Sequence, residues 1–160
     1  IHINPIIHGG AQERNMRGGT ENVYGIVGLS KAMDVAFEGL EEHQNHVSGL
    51  KKYMINRLNE SIEGVEYNAD SANMSRSLYT VLSVSLPPTE IDSMLLFNMD
   101  IMGVACSGGS ACTSGANTGS HVLAGIEAPM GRPTIRFSFS RFTSKEEIDY
   151  AVDSLLSLYA

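Results

Sequence analysis

Thr134-Ile135-Arg136-Phe137-Ser138-Phe139-Ser140 alternates strictly between apolar and polar side chains. A period of two belongs to a strand buried on one face. Ile135, Phe137 and Phe139 therefore point inward, and Arg136, Ser138 and Ser140 point outward. Thr80 to Leu86 repeats the pattern, with Leu82, Val84 and Leu86 on one face and Val81, Ser83 and Ser85 on the other, until Pro87-Pro88 stops the strand. Strands wetted on one face pair into a mainly antiparallel sheet whose other face is covered by helices.

The helices flank these strands. From about Asn22 to about Asn59 apolar residues recur three or four apart, among them Val23, Ile26, Val27, Met33, Phe37, Val47, Leu50, Met54 and Leu58. The pattern predicts one long helix, with Thr20 as its cap, Glu21 at the positive end of its dipole and a kink at Gly39. Thr89 with Asp92 forms a capping-box pattern for a helix through about Asn98. Ile101 to Ala105 reads as a strand, and Ser120 to Gly125 as a short helix. Thr143 with Glu146 starts a last helix with the apolar stripe Ile148, Val152, Leu155, Leu156 and Tyr159. Strands and helices interleave without βαβ spacing, so the fold class is α+β.

The 160 residues suffice for a compact domain with its own core, and 42% apolar with 18% charged residues is ordinary for a globular chain. A net charge of −7 supplies no basic stripe for nucleic acid, and no apolar run spans a membrane or resembles a signal peptide. Two cysteines make no disulfide framework, which points to a reducing, cytoplasmic setting. The opening Ile1-His2-Ile3-Asn4-Pro5 has no initiator methionine and no start signal for helix or strand. It reads as entry in mid-fold.

Chemistry concentrates in three places. The loop Ala105-Cys106-Ser107-Gly108-Gly109-Ser110-Ala111-Cys112-Thr113-Ser114-Gly115 is built almost wholly of small residues. A thiol on such a loop is exposed and free to visit a substrate and then a second partner. A flexible linker that happens to hold a cysteine fits the same composition. Cys106 reads as a small hydrophobe at a strand end. Zinc at Cys106, Cys112 and His121 would lack the paired spacing and the fourth ligand of a structural site. His43 and His46 read as exposed helix surface. Arg136 offers a rigid fork of donors suited to a carboxylate, and a surface ion pair is the competing use. The arm His8-Gly9-Gly10-Ala11-Gln12-Glu13-Arg14-Asn15-Met16-Arg17-Gly18-Gly19-Thr20 combines glycines with Arg14 and Arg17, which suits either an anion or a turn-rich linker.

That arm with Glu21-Asn22, then Gly109 to Gly115, then Ile135-Arg136-Phe137-Ser138 with Arg141-Phe142-Thr143 and Glu146-Glu147-Ile148-Asp149, resemble in order the signature stretches of the cysteine desulfurase family. The resemblance implies the small C-terminal domain of a fold-type-I pyridoxal-phosphate-dependent transferase. It would have a mainly antiparallel sheet, helices on one face and one long N-terminal helix. Residues 1–21 would be an irregular arm that belongs with a cofactor domain, and residues 22–160 the small domain. It further implies that Cys112 takes sulfur from L-cysteine, leaving L-alanine and a Cys112 persulfide for sulfur-acceptor proteins. The length of the loop resembles the subgroup serving iron–sulfur cluster assembly and tRNA thiolation, in which Cys112 can share a transient iron–sulfur cluster with a scaffold. Arg136 would hold the substrate carboxylate, and Thr20 the cofactor phosphate of the neighbouring subunit in a homodimer.

Departures from the family pattern bear on activity. The lysine that anchors pyridoxal phosphate, the aspartate paired with its ring nitrogen and the histidine stacked on the ring would all lie upstream of the arm. Lys31, Lys51, Lys52 and Lys145 lack that setting and read as helix-surface lysines. Ala11 and Gly19 stand where relatives often carry glycine and serine. The expectation is a desulfurase piece inactive by itself, with a stand-alone sulfur-carrier or interaction module as one alternative and a structural α+β domain as another.

Overall fold

The computed structural model describes residues 4–90, 92–108, 120–129 and 131–159. The chain divides into two compact units, Ile1–Leu40 and Glu41–Ala160.

In the first unit the glycine-rich arm closes on itself. Gly18 N–H donates to the Ile7 carbonyl at 2.9 Å. A side chain at Gly18 would come within 2.8 Å of the Gly9 backbone, so the close approach requires glycine there. Arg17 Nη1 donates to the Gly19 carbonyl at 2.6 Å, and Gln12 Oε1 accepts from Gly19 N–H at 3.1 Å. The short helical turn α1 (Gln12–Asn15) holds Glu13, Arg14 and Asn15 at positive φ. The second helix, α2 (Val23–Glu38), is capped by Asn22, whose side chain accepts from Gly25 N–H at 3.0 Å. The expected cap at Thr20 is thus two residues early, because an amide oxygen at Asn22 already satisfies the first turn.

The expected long helix is two helices. α2 ends at Glu38, Gly39 adopts a non-helical conformation, and α3 (Leu40–Ser61) begins at the next residue. Glycine makes the break inexpensive, since it gains little from helical order.

The second unit is a layer of helices on a three-stranded antiparallel sheet, order β1-β2-β3. Strands β1 (Glu66–Tyr67), β2 (Val81–Ser85) and β3 (Thr134–Ser138) pair with Tyr67 opposite Val84 and Ser83 opposite Arg136. The alternation predicted from sequence holds: Leu82, Val84, Ile135 and Phe137 are buried, while Arg136 and Ser138 are exposed. Their core partners come from α3 (Val47, Leu50, Met54, Leu58), from α4 (Leu95–Ile101) through Leu95 and Met99, and from α6 (Lys145–Ser157) through Ile148, Val152 and Leu155. Arg132 fastens one end of the sheet, donating from Nε to Ser85 Oγ at 2.9 Å and from Nη2 to the Gly64 and Ser85 carbonyls.

Two expectations are corrected here. Ile101 to Ala105 is not a strand: α4 runs to Ile101, and Gly103 at φ +78° turns the chain back so that Val104 N–H donates to the Met99 carbonyl. A short apolar run fits helix and strand equally, and the left-handed turn decides it. The capping box of α6 is Ser144 with Glu147, one residue beyond Thr143 and Glu146. Thr143 Oγ1 is instead engaged by Ser140 N–H. The short helix α5 (His121–Gly125) lies where expected, with Ser120 as its cap.

Candidate functional site

Arg136 stands in the middle of β3, on the exposed face. Its cross-strand neighbour is Ser83, and Thr134 and Ser138 share its face along β3. It is a cation among hydroxyls. Its backbone N–H and C=O both turn away from β2 to the outer edge of β3, where Ser107 meets them: Arg136 N–H donates to the Ser107 carbonyl at 2.6 Å, and Ser107 N–H to the Arg136 carbonyl at 3.1 Å. The side chains repeat the pairing, with Arg136 Nε donating to Ser107 Oγ at 3.0 Å. Among the described residues Nη1 and Nη2 have no hydrogen-bond partner, and no carboxylate lies within 4.0 Å of the guanidinium. Three of the other four arginines of this unit are used differently, and the fourth, Arg141, lies over the Phe142 ring at 4.8 Å. Arg57 pairs with Asp149 and Asp153, Arg76 with Asp70, and Arg132 with Glu66. The surface ion pair that competed with a carboxylate-binding role for Arg136 is therefore not made by any described residue.

Ser107 was not singled out by its sequence context. It lies in a run of small residues, and a single bridge to a strand twenty-nine residues away leaves no periodic signal. Gly108, the next residue, packs close enough to Leu96 that a side chain there would displace it. Cys112 lies outside the described residues, on the segment 109–119 that leaves from Gly108 and rejoins at Ser120.

Cys106 is half-buried against the core. Burial pushes its thiol upward, and the charge of Asp100 adds to the effect. A thiol held protonated is a poor nucleophile. Among the described residues no three metal-ligating side chains come together. His46 is exposed, with Nε2 2.9 Å from the Thr143 carbonyl. His43 departs from the expected exposed surface: it is half-buried edge-on to Tyr79, with Nε2 buried and without a partner among the described residues. Thr20 is exposed and belongs to the first unit. A cleft of about 540 Å³ opens by Val104, Phe137, Phe139 and the first turn of α6, and Arg136 is not part of its wall.

The lysines test whether this chain can anchor a carbonyl cofactor. Lys31, Lys52 and Lys145 are exposed. Lys51 overturns its reading as a surface lysine: it is fully buried, and Nζ donates to Ser77 Oγ at 2.8 Å and to the Leu78 carbonyl at 2.9 Å. Its amine is committed to a loop. Lys145 lies over the Tyr53 ring at 4.5 Å on the exposed surface, and Lys31 and Lys52 are likewise exposed, so among the described residues no lysine stands in an enclosed pocket with its amine open to a carbonyl cofactor.

The aminotransferase class-V family model matches residues 7–151. The chain belongs to that family. Family members depend on pyridoxal phosphate. The chain is 37% identical over 155 residues to cysteine desulfurase IscS of Dictyoglomus turgidum, covering 96% of this chain and 38% of that protein. Against the mitochondrial cysteine desulfurase of Arabidopsis thaliana it is again 37% identical, over 96% of this chain and 33% of the relative. A solved NifS-like protein superposes with a TM-score of 0.77 at 31% identity, covering 98% of this chain and 39% of the other. The NifS-like protein from Rickettsia africae shares the fold with a TM-score of 0.79 at 24% identity, over 99% of this chain and 41% of that one. The chain thus spans about a third to two-fifths of the length of these relatives. The described α+β architecture matches part of theirs. No described helix is long and apolar enough to cross a membrane.

Proposed function

We propose that this chain is the carboxylate-binding and sulfur-accepting part of a cysteine desulfurase. In this reading Arg136 grips the carboxylate of L-cysteine, and the Cys112 thiolate accepts its sulfur. Cys112 becomes a persulfide, L-alanine leaves, and a sulfur-acceptor protein such as an iron–sulfur scaffold takes the outer sulfur. Residues 1–21 serve as an arm to a cofactor domain, with Thr20 toward the cofactor phosphate of a neighbouring subunit. Residues 22–160 form the small domain of a fold-type-I enzyme, working as a homodimer in a reducing, cytoplasmic setting. The electron sink is supplied from outside this chain, and by itself the chain is inactive.

The observation that carries this reading is the fork of Arg136, unpartnered among the described residues, beside the root of the Cys112 loop. Ser107 is hydrogen-bonded to Arg136, and Cys112 follows it by five residues. At about 3.3–3.6 Å per residue, the chain lets Cys112 act anywhere within roughly 17 Å of Ser107. A carboxylate held by Arg136 is within that reach. Relatives named cysteine desulfurase support the substrate class.

Arg136 gives the direct test. In the cofactor-loaded assembly that contains this chain, Arg136→Ala should weaken L-cysteine binding by about 2–5 kcal/mol, seen as a raised KM. An unchanged KM would remove the carboxylate role.

A further inference from the structure

We infer that Ser107 is the positioning residue of this site: its hydroxyl fixes the Arg136 guanidinium so that both Nη groups face outward together. The inference deepens the carboxylate reading and rests on it. An arginine side chain has four rotatable bonds, and an exposed one ordinarily samples many rotamers. Here Nε is held by Ser107 Oγ at 3.0 Å, and the backbones of the same two residues are joined by a reciprocal pair of hydrogen bonds. The backbone pair fixes where the Ser107 hydroxyl stands, and the one side-chain hydrogen bond to Nε then narrows the orientation of the guanidinium plane. Because Nε is the donor used, Nη1 and Nη2 are left without a partner among the described residues and can serve a ligand. Bidentate recognition of a carboxylate needs two parallel N–H groups in one plane, so holding the plane in advance lowers the ordering cost of binding.

The pairing also ties two functions to one residue. Ser107 anchors the arginine and sits where the chain leaves β3 for the segment that carries Cys112. The hydroxyl at position 107 acts on the fork, and the backbone bridge of the same residue fixes where the following segment starts. Gly108, packed against Leu96, limits how far that origin can shift.

The test uses the whole assembly that contains this chain, with arginine side-chain NMR. The Nε–H proton of Arg136 should exchange slowly with solvent, and millimolar L-alanine, which carries the carboxylate without the sulfur, should shift its Nη signals. In Ser107→Ala, Nε–H exchange should quicken and L-alanine binding weaken about five-fold, the worth of one hydrogen bond. Ser107→Thr, which keeps the hydroxyl, should restore both, whereas a merely structural role would not track the hydroxyl. Arg136→Ala should abolish the L-alanine response. If Arg136→Ala abolishes binding and Ser107→Ala leaves both exchange and affinity as in the parent, the positioning role is wrong and the carboxylate site stands. If Arg136→Ala retains binding, both are wrong.

Discussion

Lys51 sits on the inward face of α3, one turn from Val47, and its side chain is wholly enclosed. No carboxylate balances it among the described residues; Ser77 Oγ and the Leu78 carbonyl accept its protons instead. Burial lowers its pKa from the ordinary 10.5. The sign of the consequence follows from proton counting. In the interval between the lowered value and 10.5 the unfolded chain binds more protons than the folded one, so stability rises with pH across that interval. Below it, the full cost of enclosing the ammonium is present. Lys51→Met removes this term. Paired urea unfolding at about pH 7 and about pH 10 should therefore show the parent gaining on the Lys51→Met variant at the higher pH, and a constant difference would contradict the assignment. Tyr67, pushed up to about 12 by burial, acts in the opposite sense in both proteins and cancels in the comparison. Lys51→Ala, which leaves a cavity and takes a hydrogen bond from both Ser77 Oγ and the Leu78 carbonyl, should cost about 2–4 kcal/mol. The sequence held a clue to this residue: Val47, Lys51, Met54 and Leu58 share one helical stripe. Residue type outweighed position, since lysine is seldom enclosed.

At the scale of elements, legibility followed periodicity. β2 and β3 could be read because a one-sided sheet forces strict alternation, and α6 because its stripe repeats every three or four residues. Caps were legible in kind and displaced in place, since Thr20, Asn22, Thr143 and Ser144 all carry oxygens that can cap and only local geometry chooses among them. The segment 101–105 failed because five residues are too few to separate the two periods. The capping box of α6 gives a direct check. Ser144 Oγ accepts from Glu147 N–H at 3.1 Å, and Glu147 Oε2 accepts from Ser144 N–H at 2.8 Å. Ser144→Ala should lower stability by about 1 kcal/mol in thermal unfolding, because α6 brings Ile148, Val152 and Leu155 to the core. An unchanged melting temperature would mean the helix start is held by packing alone.

Across the whole molecule, two kinds of information met. The fork of Arg136 was legible as a residue on the polar face of a strand, but its pairing with Ser107 and its lack of an acidic partner among the described residues are non-local facts that no pattern reports. The Cys112 loop was legible only as composition. In the proposed function, family membership and the chain's covalent reach join them. α2 adds a further expectation: its apolar residues occur nearly all round, and none of them is buried. A helix of that character belongs inside a larger protein, in keeping with relatives about two and a half times as long.

The central claim is that Cys112 receives sulfur from L-cysteine. Its most direct test supplies sulfur-labelled L-cysteine to the cofactor-loaded assembly containing this chain, followed by non-reducing digestion and mass analysis of the cysteine peptides. The account predicts one added sulfur on the Cys112 peptide, released by a thiol reductant, and none on the Cys106 peptide, with persulfide lost in Cys112→Ser. Label on Cys106, or L-alanine formed by Cys112→Ser at the parent rate, would contradict it.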